Sequence, residues 1–557
     1  MNYDNLFILT LLINFKLQGN IHISLLNFTT AMEQNVARPV EEAARQDQIL
    51  PSVSIDDMIE QSIGRINATQ ILQAILTSLP PLFDSQQTYI SIFAHAQPTW
   101  HCTGSNTNSN SNSNISCSSN NNSNICRLSK SEWAWDSLNV HTSIISEWDL
   151  ECASSFITGF PTTCYFVGCL LGGLVLATLG DSSLGRKNLL CFSSLVMSLG
   201  ALASSFAPNF WVYSVFRFLS GAGRAPLAIS TLVLLTERVG KRWRSQVAMV
   251  GFIHFSLGIF ILTGIAYLTK DSSWRNLYLW TSIPGIVCSL LCYFFVLESP
   301  RWLFMQGLTK ESIAVLRKLG SSTSQVYSTV IINNMANLQE GPNNTSSFES
   351  IKILIKKRWA VKRLLASMFL AFGIGLMYFG MFLGVGNLGF NIYLTSTFSA
   401  LLSLVSYLLT FLYWVPRCNR RISLLGFCVI SGVTSIVFSV VGKHIHQGLL
   451  ISLELVSLFC ACMAYNLVLM YTVELFPTCV RNSASSLVRQ AMIFGSVFDP
   501  VLILLGRQNK MYSYGVFGIT VLVCGFLVLC LPETRGKVLC DTMEEQELRD
   551  NSSSSII

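Results

Sequence analysis

Val473-Glu474-Leu475-Phe476-Pro477-Thr478-Cys479-Val480-Arg481 follows a long apolar run late in the chain. Thr236-Glu237-Arg238-Val239-Gly240-Lys241-Arg242-Trp243-Arg244 follows another in the first half, and in both a Glu precedes an Arg by seven residues. Two further signatures recur. Glu298-Ser299-Pro300-Arg301 is echoed by Pro532-Glu533-Thr534-Arg535, and Gly185-Arg186-Lys187 by Asn419-Arg420-Arg421. The offsets are 237 residues from Glu237 to Glu474, 235 from Glu298 to Glu533 and 234 from Arg186 to Arg420. A nearly constant offset reads as one ancestral half, duplicated, with polar hinges at matching places. Many secondary transporters are built in this way.

The composition fits a chain that lives in lipid. Apolar residues make up 51% and charged residues only 12%, and mean hydropathy is +0.48. A soluble domain carries about 25% charged residues. Twelve apolar runs stand at 66–93, 152–179, 188–206, 210–235, 247–268, 277–297, 363–384, 388–414, 422–441, 448–472, 490–508 and 512–531. Each is long enough to cross about 30 Å of hydrocarbon. Only helices and closed barrels satisfy every backbone group there, and uniform runs of this length predict helices. The expected fold is an all-α membrane protein with twelve transmembrane helices in two six-helix, pseudo-symmetric halves. Residues 1–65 form a cytosolic N-terminal segment, 66–297 and 363–531 the two bundles, 298–362 a cytosolic linker and 532–557 a cytosolic tail. A long non-cytosolic loop covers 95–147.

Loop charge sets the orientation. Arg186, Lys187, Arg238, Arg244, Arg301, Lys356, Lys357, Arg420, Arg481 and Arg535 share one set of loops, and the alternate loops are poor in Lys and Arg. The positive-inside rule therefore puts both termini in the cytosol. The same bias accounts for the net charge of +7. No basic stretch is interleaved with aromatics in a polar domain, so no nucleic acid is expected as a partner. The lipid bilayer is the expected environment.

Of the 17 cysteines, most lie inside apolar runs and read as small buried hydrophobes. Cys102, Cys117, Cys126 and Cys152 belong to the non-cytosolic loop, where disulfides form, with the pairing left open. The centre of that loop is a Ser/Asn tract, expected to be disordered, and carries glycosylation sequons at Asn114 and Asn121. Near the N-terminus, Phe7 to Phe15 is too short to span and lacks a cationic flank, and Met32 is an alternative start. The tail after Lys537 is acidic, then Ser-rich, and expected to be mobile.

Several signatures resemble the major facilitator superfamily, and within it the plant branch of the organic cation/carnitine transporters. They are Glu147-Trp148-Asp149-Leu150-Glu151-Cys152, the loop Gly180-Asp181-Ser182-Ser183-Leu184-Gly185-Arg186-Lys187, and Arg217-Phe218-Leu219-Ser220-Gly221. Val473 to Asn482, Glu298 to Leu303 and Pro532 to Lys537 complete the set. The resemblance runs from about Ile66 to Glu545. Two positions depart from it. Ala177 stands where the superfamily loop has Gly, and one extra residue separates Asp181 from Gly185. Animal relatives carry an acidic residue in helix 11 that is thought to attract the substrate cation, and Ile493 stands at that place here. The resemblance implies alternating access for a small organic cation or carnitine, with protons as a candidate driving ion, in the plasma or vacuolar membrane.

Ionisable residues inside membrane runs are expensive and need a reason. Asp84, Arg217, Glu454, Asp499 and His254 qualify. Asp84 or Asp499 is expected to offer charge to a cationic head group or to take up a proton. Arg217 is expected to pair with one of them or to hold a carboxylate. Tyr165 and Tyr378 are candidates for an aromatic cage around an ammonium. Glu454 and His254 read as internal polar groups. Asp181, Arg186, Lys187, Glu237, Arg244, Glu474 and Arg481 read as a charge latch between conformational states. No metal site, cofactor or phosphate loop is expected, and nothing points to an enzyme. A proton-coupled carrier of sugars or organic anions and a transport-dead sensor are the alternatives.

Overall fold

The computed structural model describes residues 67–103, 125–136, 140–181, 184–240, 243–320, 347–388, 391–441, 447–506, 510–536, 540 and 542–554. Met32, Cys117, the sequons at Asn114 and Asn121, and Tyr327 to Leu338 lie outside the described residues. Within them every apolar run is helical. Span 1 is Ala68–Tyr89, span 2 Ser155–Asp181 and span 3 Arg186–Ser205. Span 4 is Phe210–Arg224 continued by Leu227–Glu237, span 5 Arg244–Leu268 and span 6 Trp274–Phe295. In the second half, span 7 is Arg358–Gly384, span 8 Ile392–Leu409, span 9 Arg420–Val441 and span 10 Gln447–Leu475. Span 11 is Thr478–Ser496 continued by Asp499–Leu505, and span 12 is Lys510–Phe526.

Among the described residues, 11 helices are long and apolar enough to cross a membrane. Span 1 is not among them, because it buries Gln70, Gln73, Asp84, Gln86 and Gln87. A helix with this much buried polarity turns that face to other protein, while Ile71, Leu72 and Ile75 stay exposed on the other. Caps mark several starts. Asn67 accepts from Gln70 N, Asn209 from Val212 N and Asn391 from Tyr393 N, each satisfying an orphan amide. Span 4 breaks at Ala225-Pro226, where proline has no N–H to continue the ladder.

Small residues let the helices approach. A Cβ on Gly221 of span 4 would stand 1.9 Å from the Tyr165 carbonyl oxygen of span 2, and one on Gly168 2.1 Å from that of Phe218. Spans 2 and 11 join the halves the same way, since a Cβ on Gly159 would lie 3.2 Å from the Pro500 oxygen. Spans 5 and 8 are the second join. The Ser256 and Ser403 hydroxyls are 3.1 Å apart, and Phe252 stacks on Tyr407 at 5.2 Å.

One end of the bundle, the basic face, carries Arg186, Glu237, Arg420 and Glu474. At the opposite face the halves meet through aromatic rings. Phe93 lies 5.6 Å from Tyr393 and within 9° of parallel, and Tyr267 meets the same Tyr393 at 5.5 Å. The long loop sits on this face. Its strands β1, Trp100–Cys102, and β2, Trp133–Trp135, pair antiparallel. Cys126 is bonded to Cys152, and Cys102 is disulfide-bonded as well. Glu147 ties the loop to span 6, accepting from Trp274 Nε1 at 2.7 Å and from Arg275.

The tail departs from expectation. Met543–Ser554 is helical and is held by two ion pairs, Lys357 to Glu547 at 2.6 Å and Arg363 to Asp550 at 2.8 Å. Its acidic residues lie against the basic start of span 7, which explains the order.

Candidate functional site

The centre of the first half is built on one ion pair. Asp84 of span 1 accepts from Arg224 Nε, with side-chain exposures of 2% and 4%. Arg224 occupies the last turn before the break in span 4, where the helix dipole favours a cation. The Thr88 hydroxyl lies 3.4 Å from Asp84 Oδ1 and 3.1 Å from the Tyr165 hydroxyl, linking the pair to span 2. Two turns before Arg224 on the same helix, Arg217 is fully buried. Both of its terminal nitrogens donate to the Gln87 carbonyl at 3.1 Å. Its guanidinium also stands 4.3 Å from the Tyr165 ring and 5.9 Å from that of Tyr278. Cation–π contact of this kind offsets part of the cost of burial.

An aromatic cluster continues from there into the second half. Phe166 meets Phe379 at 5.5 Å, Tyr89 meets Phe382 at 5.0 Å, and Tyr378 stacks on Tyr465 at 4.2 Å. Arg224 lies 5.8 Å from the Phe379 ring. Tyr165 and Tyr378 thus belong to one cluster without facing each other. Tyr165 is occupied by two arginines, while Tyr378 covers one face of the half-buried Tyr465.

Two acids in the second half have no such partners. Asp499 opens the second segment of span 11 and is fully buried, and neither carboxylate oxygen has a hydrogen bond among the described residues. Glu454 of span 10 is in the same condition, so it is an internal acid without a salt bridge. Asp84, through Thr88, and Arg217 both meet Tyr165, and no hydrogen bond or ion pair joins Asp499 to them among the described residues. His254 is satisfied by Val250 O at 2.8 Å and by Ser78 at 3.3 Å.

The repeated loop charges form the same network twice at the basic face. In the first half, Glu298 accepts from the backbone amides of Arg186 and Lys187 at 3.1 Å, capping span 3. In the second, Glu533 accepts from those of Arg420 at 3.0 Å and Arg421 at 3.1 Å, capping span 9. Ser299 donates to Glu237 at 2.5 Å, and Thr534 to Glu474 at 2.7 Å. Gly185 is required beside the first cap. Its φ is +80°, and a Cβ there would stand 2.4 Å from Glu298 Oε2. Burial pushes the Glu298 carboxyl above its ordinary value, against the amide hydrogen bonds. Burial likewise pushes Arg238 down to about 10.

Residues 75–545 match the model of the sugar (and other) transporter family. The chain belongs to that family. Among its relatives, organic cation/carnitine transporter 3 of Arabidopsis thaliana is 46% identical over 504 residues, covering 90% of this chain and 95% of the relative. Organic cation/carnitine transporter 2 of the same plant is 47% identical over 511 residues, covering 90% and 95%. Solute carrier family 22 member 21 of mouse is 30% identical, over 74% of this chain and 73% of its own. Among solved structures, the xylose transporter XylE of E. coli in an inward-open conformation superposes with a TM-score of 0.59. At 14% identity, over 84% of this chain and 97% of that one, it shows the shared fold alone. The chain is thus a multi-pass membrane protein of the major facilitator fold, in its organic cation/carnitine transporter branch.

Within this family frame, the latch residues sort by place. Lys187 also lies 5.3 Å from the Tyr293 ring, and Arg481 Nε donates to the Phe476 carbonyl at 3.3 Å. Arg244 opens span 5. The Asp181 side chain lies outside the described residues. Sequence reasoning missed Arg224, the partner of Asp84, and with it the buried Arg238. The signal for Arg224 was present as a second Arg seven residues after Arg217, on the same helical face. Arg238 donates to Thr77 at 2.8 Å and to the Leu297 carbonyl, binding spans 1, 4 and 6. Its signal was the doubling of Glu237 by an adjacent Arg.

Proposed function

We propose that this chain is a secondary active carrier of small organic cations and zwitterions such as carnitine. It works by alternating access and is driven by protons, and it catalyses no chemical step. The names of its relatives supply the substrate class. The observation that carries the mechanism is the buried pair of Asp84 and Arg224 beside the aromatic cluster between the halves.

A proton arriving at Asp84 Oδ1 removes the charge that holds Arg224. The guanidinium then loses its ionic partner in a low-dielectric site, and the balance between the two states of the carrier shifts. A bias of a few kcal/mol is enough to change the populated state. The basic face is cytosolic by loop charge. The aromatic contacts of Phe93, Tyr267 and Tyr393 on the opposite face support reading this arrangement as inward-facing. The Glu–Arg networks keep each half rigid while it rocks, and the same residues latch the outward-facing state. The membrane is the plasma membrane or the vacuolar membrane.

The test is uptake of labelled carnitine and tetraethylammonium by cells expressing the chain, at acidic and near-neutral external pH. Uptake stimulated by acid, and lost in Asp84→Asn, is the expected result. No uptake of either compound with the protein at the cell surface would overturn the substrate class. Acid-insensitive uptake retained in Asp84→Asn would overturn the coupling.

A further inference from the structure

Two of the helices between the halves are similar in length and differ in what they show to the outside. Thr309–Leu319 follows the first half. Its exposed residues are Lys310, Glu311, Ala314, Arg317 and Lys318, a face of mixed charge without a large apolar side chain. Such a face belongs in water. The Leu319 carbonyl accepts from Asn67 Nδ2 at 2.7 Å and from Gln70 Nε2 at 3.0 Å, which ties this helix to the start of span 1. Ser347–Lys356, just ahead of span 7, packs on span 11 and buries Leu354 completely. On its other side Ile353 is 40% and Ile355 62% exposed, beside the exposed Lys352 and Lys356.

The order of those four residues matters. Ile355, Lys352, Lys356 and Ile353 follow one another within roughly 160° of the helix circumference, so two cations stand between two bare isoleucines. The charge continues into span 7, where Arg358 and Lys362 are exposed on the first turns, one turn apart on one face. From Ile351 to Arg363 the chain holds six cations and no acid. Two of the six are neutralised by the tail helix, Lys357 by Glu547 and Arg363 by Asp550. Lys352, Lys356, Arg358 and Lys362 have no hydrogen bond or ion pair among the described residues. Water would satisfy these cations but leave the isoleucines bare. A bilayer surface satisfies both, because apolar side chains enter the acyl boundary while lysine stems lie along it and lift their charge to the headgroups. The place fits as well, since the membrane span begins at Arg358.

We propose that Ser347–Lys356 and the first turns of span 7 form a docking surface for anionic phospholipids of the leaflet that the basic face borders. Lys352, Lys356, Arg358 and Lys362 hold the lipid phosphates, and Ile353 and Ile355 sink the helix into the interface. The tail helix sets the limit of the surface, because its acids already occupy Lys357 and Arg363. The bilayer thereby anchors the point at which the linker enters the second half, while Thr309–Leu319 is anchored by protein alone. The contact does not depend on what the carrier transports.

The test reconstitutes the purified full-length protein in nanodiscs of phosphatidylcholine, with and without phosphatidylglycerol. It reads the melting temperature and the phosphatidylglycerol that stays with the protein on extraction into detergent. Wild type is expected to melt higher in the anionic discs and to retain the anionic lipid preferentially. Each cation removed should weaken that retention about fivefold, so a quadruple variant of Lys352→Gln, Lys356→Gln, Arg358→Gln and Lys362→Gln should lose the preference. A control with Lys310→Gln, Arg317→Gln and Lys318→Gln should keep it. Ile353→Ser with Ile355→Ser should weaken retention too, to which a surface of charge alone would not respond. Salt reads the same contact without any variant, since raising KCl should erase the wild-type preference. A wild type indifferent to phosphatidylglycerol, or a preference unmoved by salt, overturns the inference. So does a preference kept by the folded quadruple variant, or lost equally in the control. Stabilisation by soluble glycerol phosphate as great as that by the lipid would overturn the bilayer as the occupant.

Discussion

The first half of the molecule pairs its buried charges, and the second half leaves its own unpaired. Asp84 has Arg224, and Arg217 has a carbonyl and aromatic faces. Across the interface, Asp499 and Glu454 have neither a cation nor a hydrogen bond among the described residues, and Arg489 has no anion. The basic face of the second half does hold an ion pair, since Arg420 meets Glu474 at 3.1 Å. Its counterpart Glu237 accepts a serine hydroxyl, and Arg238 has turned to span 1. Two halves from one ancestor have kept the same hinges and spent their charges differently. The paired set sustains a fixed geometry, and the unpaired set waits for partners that come and go.

The largest expected effect follows from breaking the paired side. Arg224→Ala leaves Asp84 buried without a cation and should cost about 3–5 kcal/mol. The double variant Asp84→Ala, Arg224→Ala should recover part of this, because no charge is then stranded. Thermal unfolding of the purified variants measures it, and single and double variants that melt together would show that the pair contributes nothing.

On the unpaired side little should be lost. Asp499→Asn and Glu454→Gln each replace a buried acid that has no ionic or hydrogen-bond partner among the described residues. Both should leave stability within about 1 kcal/mol of wild type. A lower melting temperature in either would mean that the acid has a partner in the resting protein, and the contrast between the halves would collapse. At the basic face the order is set by the ion pair. Glu474→Gln, which leaves Arg420 without its carboxylate, should cost about 2 kcal/mol, and Glu237→Gln about 1. Equal losses in the two would argue that Arg420 adds nothing to the threonine contact.

The difference between the halves also bears on what sequence could reveal. The twelve spans were legible because lipid forces long uniform runs, and the doubled hinges because helix caps need particular residues. Span 1 was legible despite its glutamines, since Ile71, Leu72, Ile75, Leu76, Leu79 and Leu82 keep it apolar along most of its length. Arg489 was not, for a physical reason. Hydropathy clipped run 11 at residue 490, but the helix begins at Thr478, so a residue assigned to a loop lies deep in a span. A cavity-lining helix is polar on one side and reads as shorter than it is. The Asp84–Arg224 pair joins residues 140 positions apart, and only packing brings them together. The tail helix was missed because its order comes from Lys357 and Arg363, far away in sequence.

The smallest effect lies outside the membrane, and it tests whether pairing on the loop side serves shape alone. Burial would raise the Glu147 carboxyl, but hydrogen bonds from Arg275 and Trp274 outweigh it and hold the group below its ordinary 4.5. A lowered folded value means that the unfolded chain takes the proton first. The stabilisation is complete above the ordinary value and is lost as pH falls through the folded one. Glu147→Gln should therefore melt lower than wild type at neutral pH, by up to about 1 kcal/mol. The two melting curves should converge in acid, where wild-type Glu147 is itself protonated. Curves that stay parallel down to acid pH would mean that the carboxylate charge plays no part in holding the loop, leaving the Cys126–Cys152 bond and ring packing around Trp148 and Trp274 to do it.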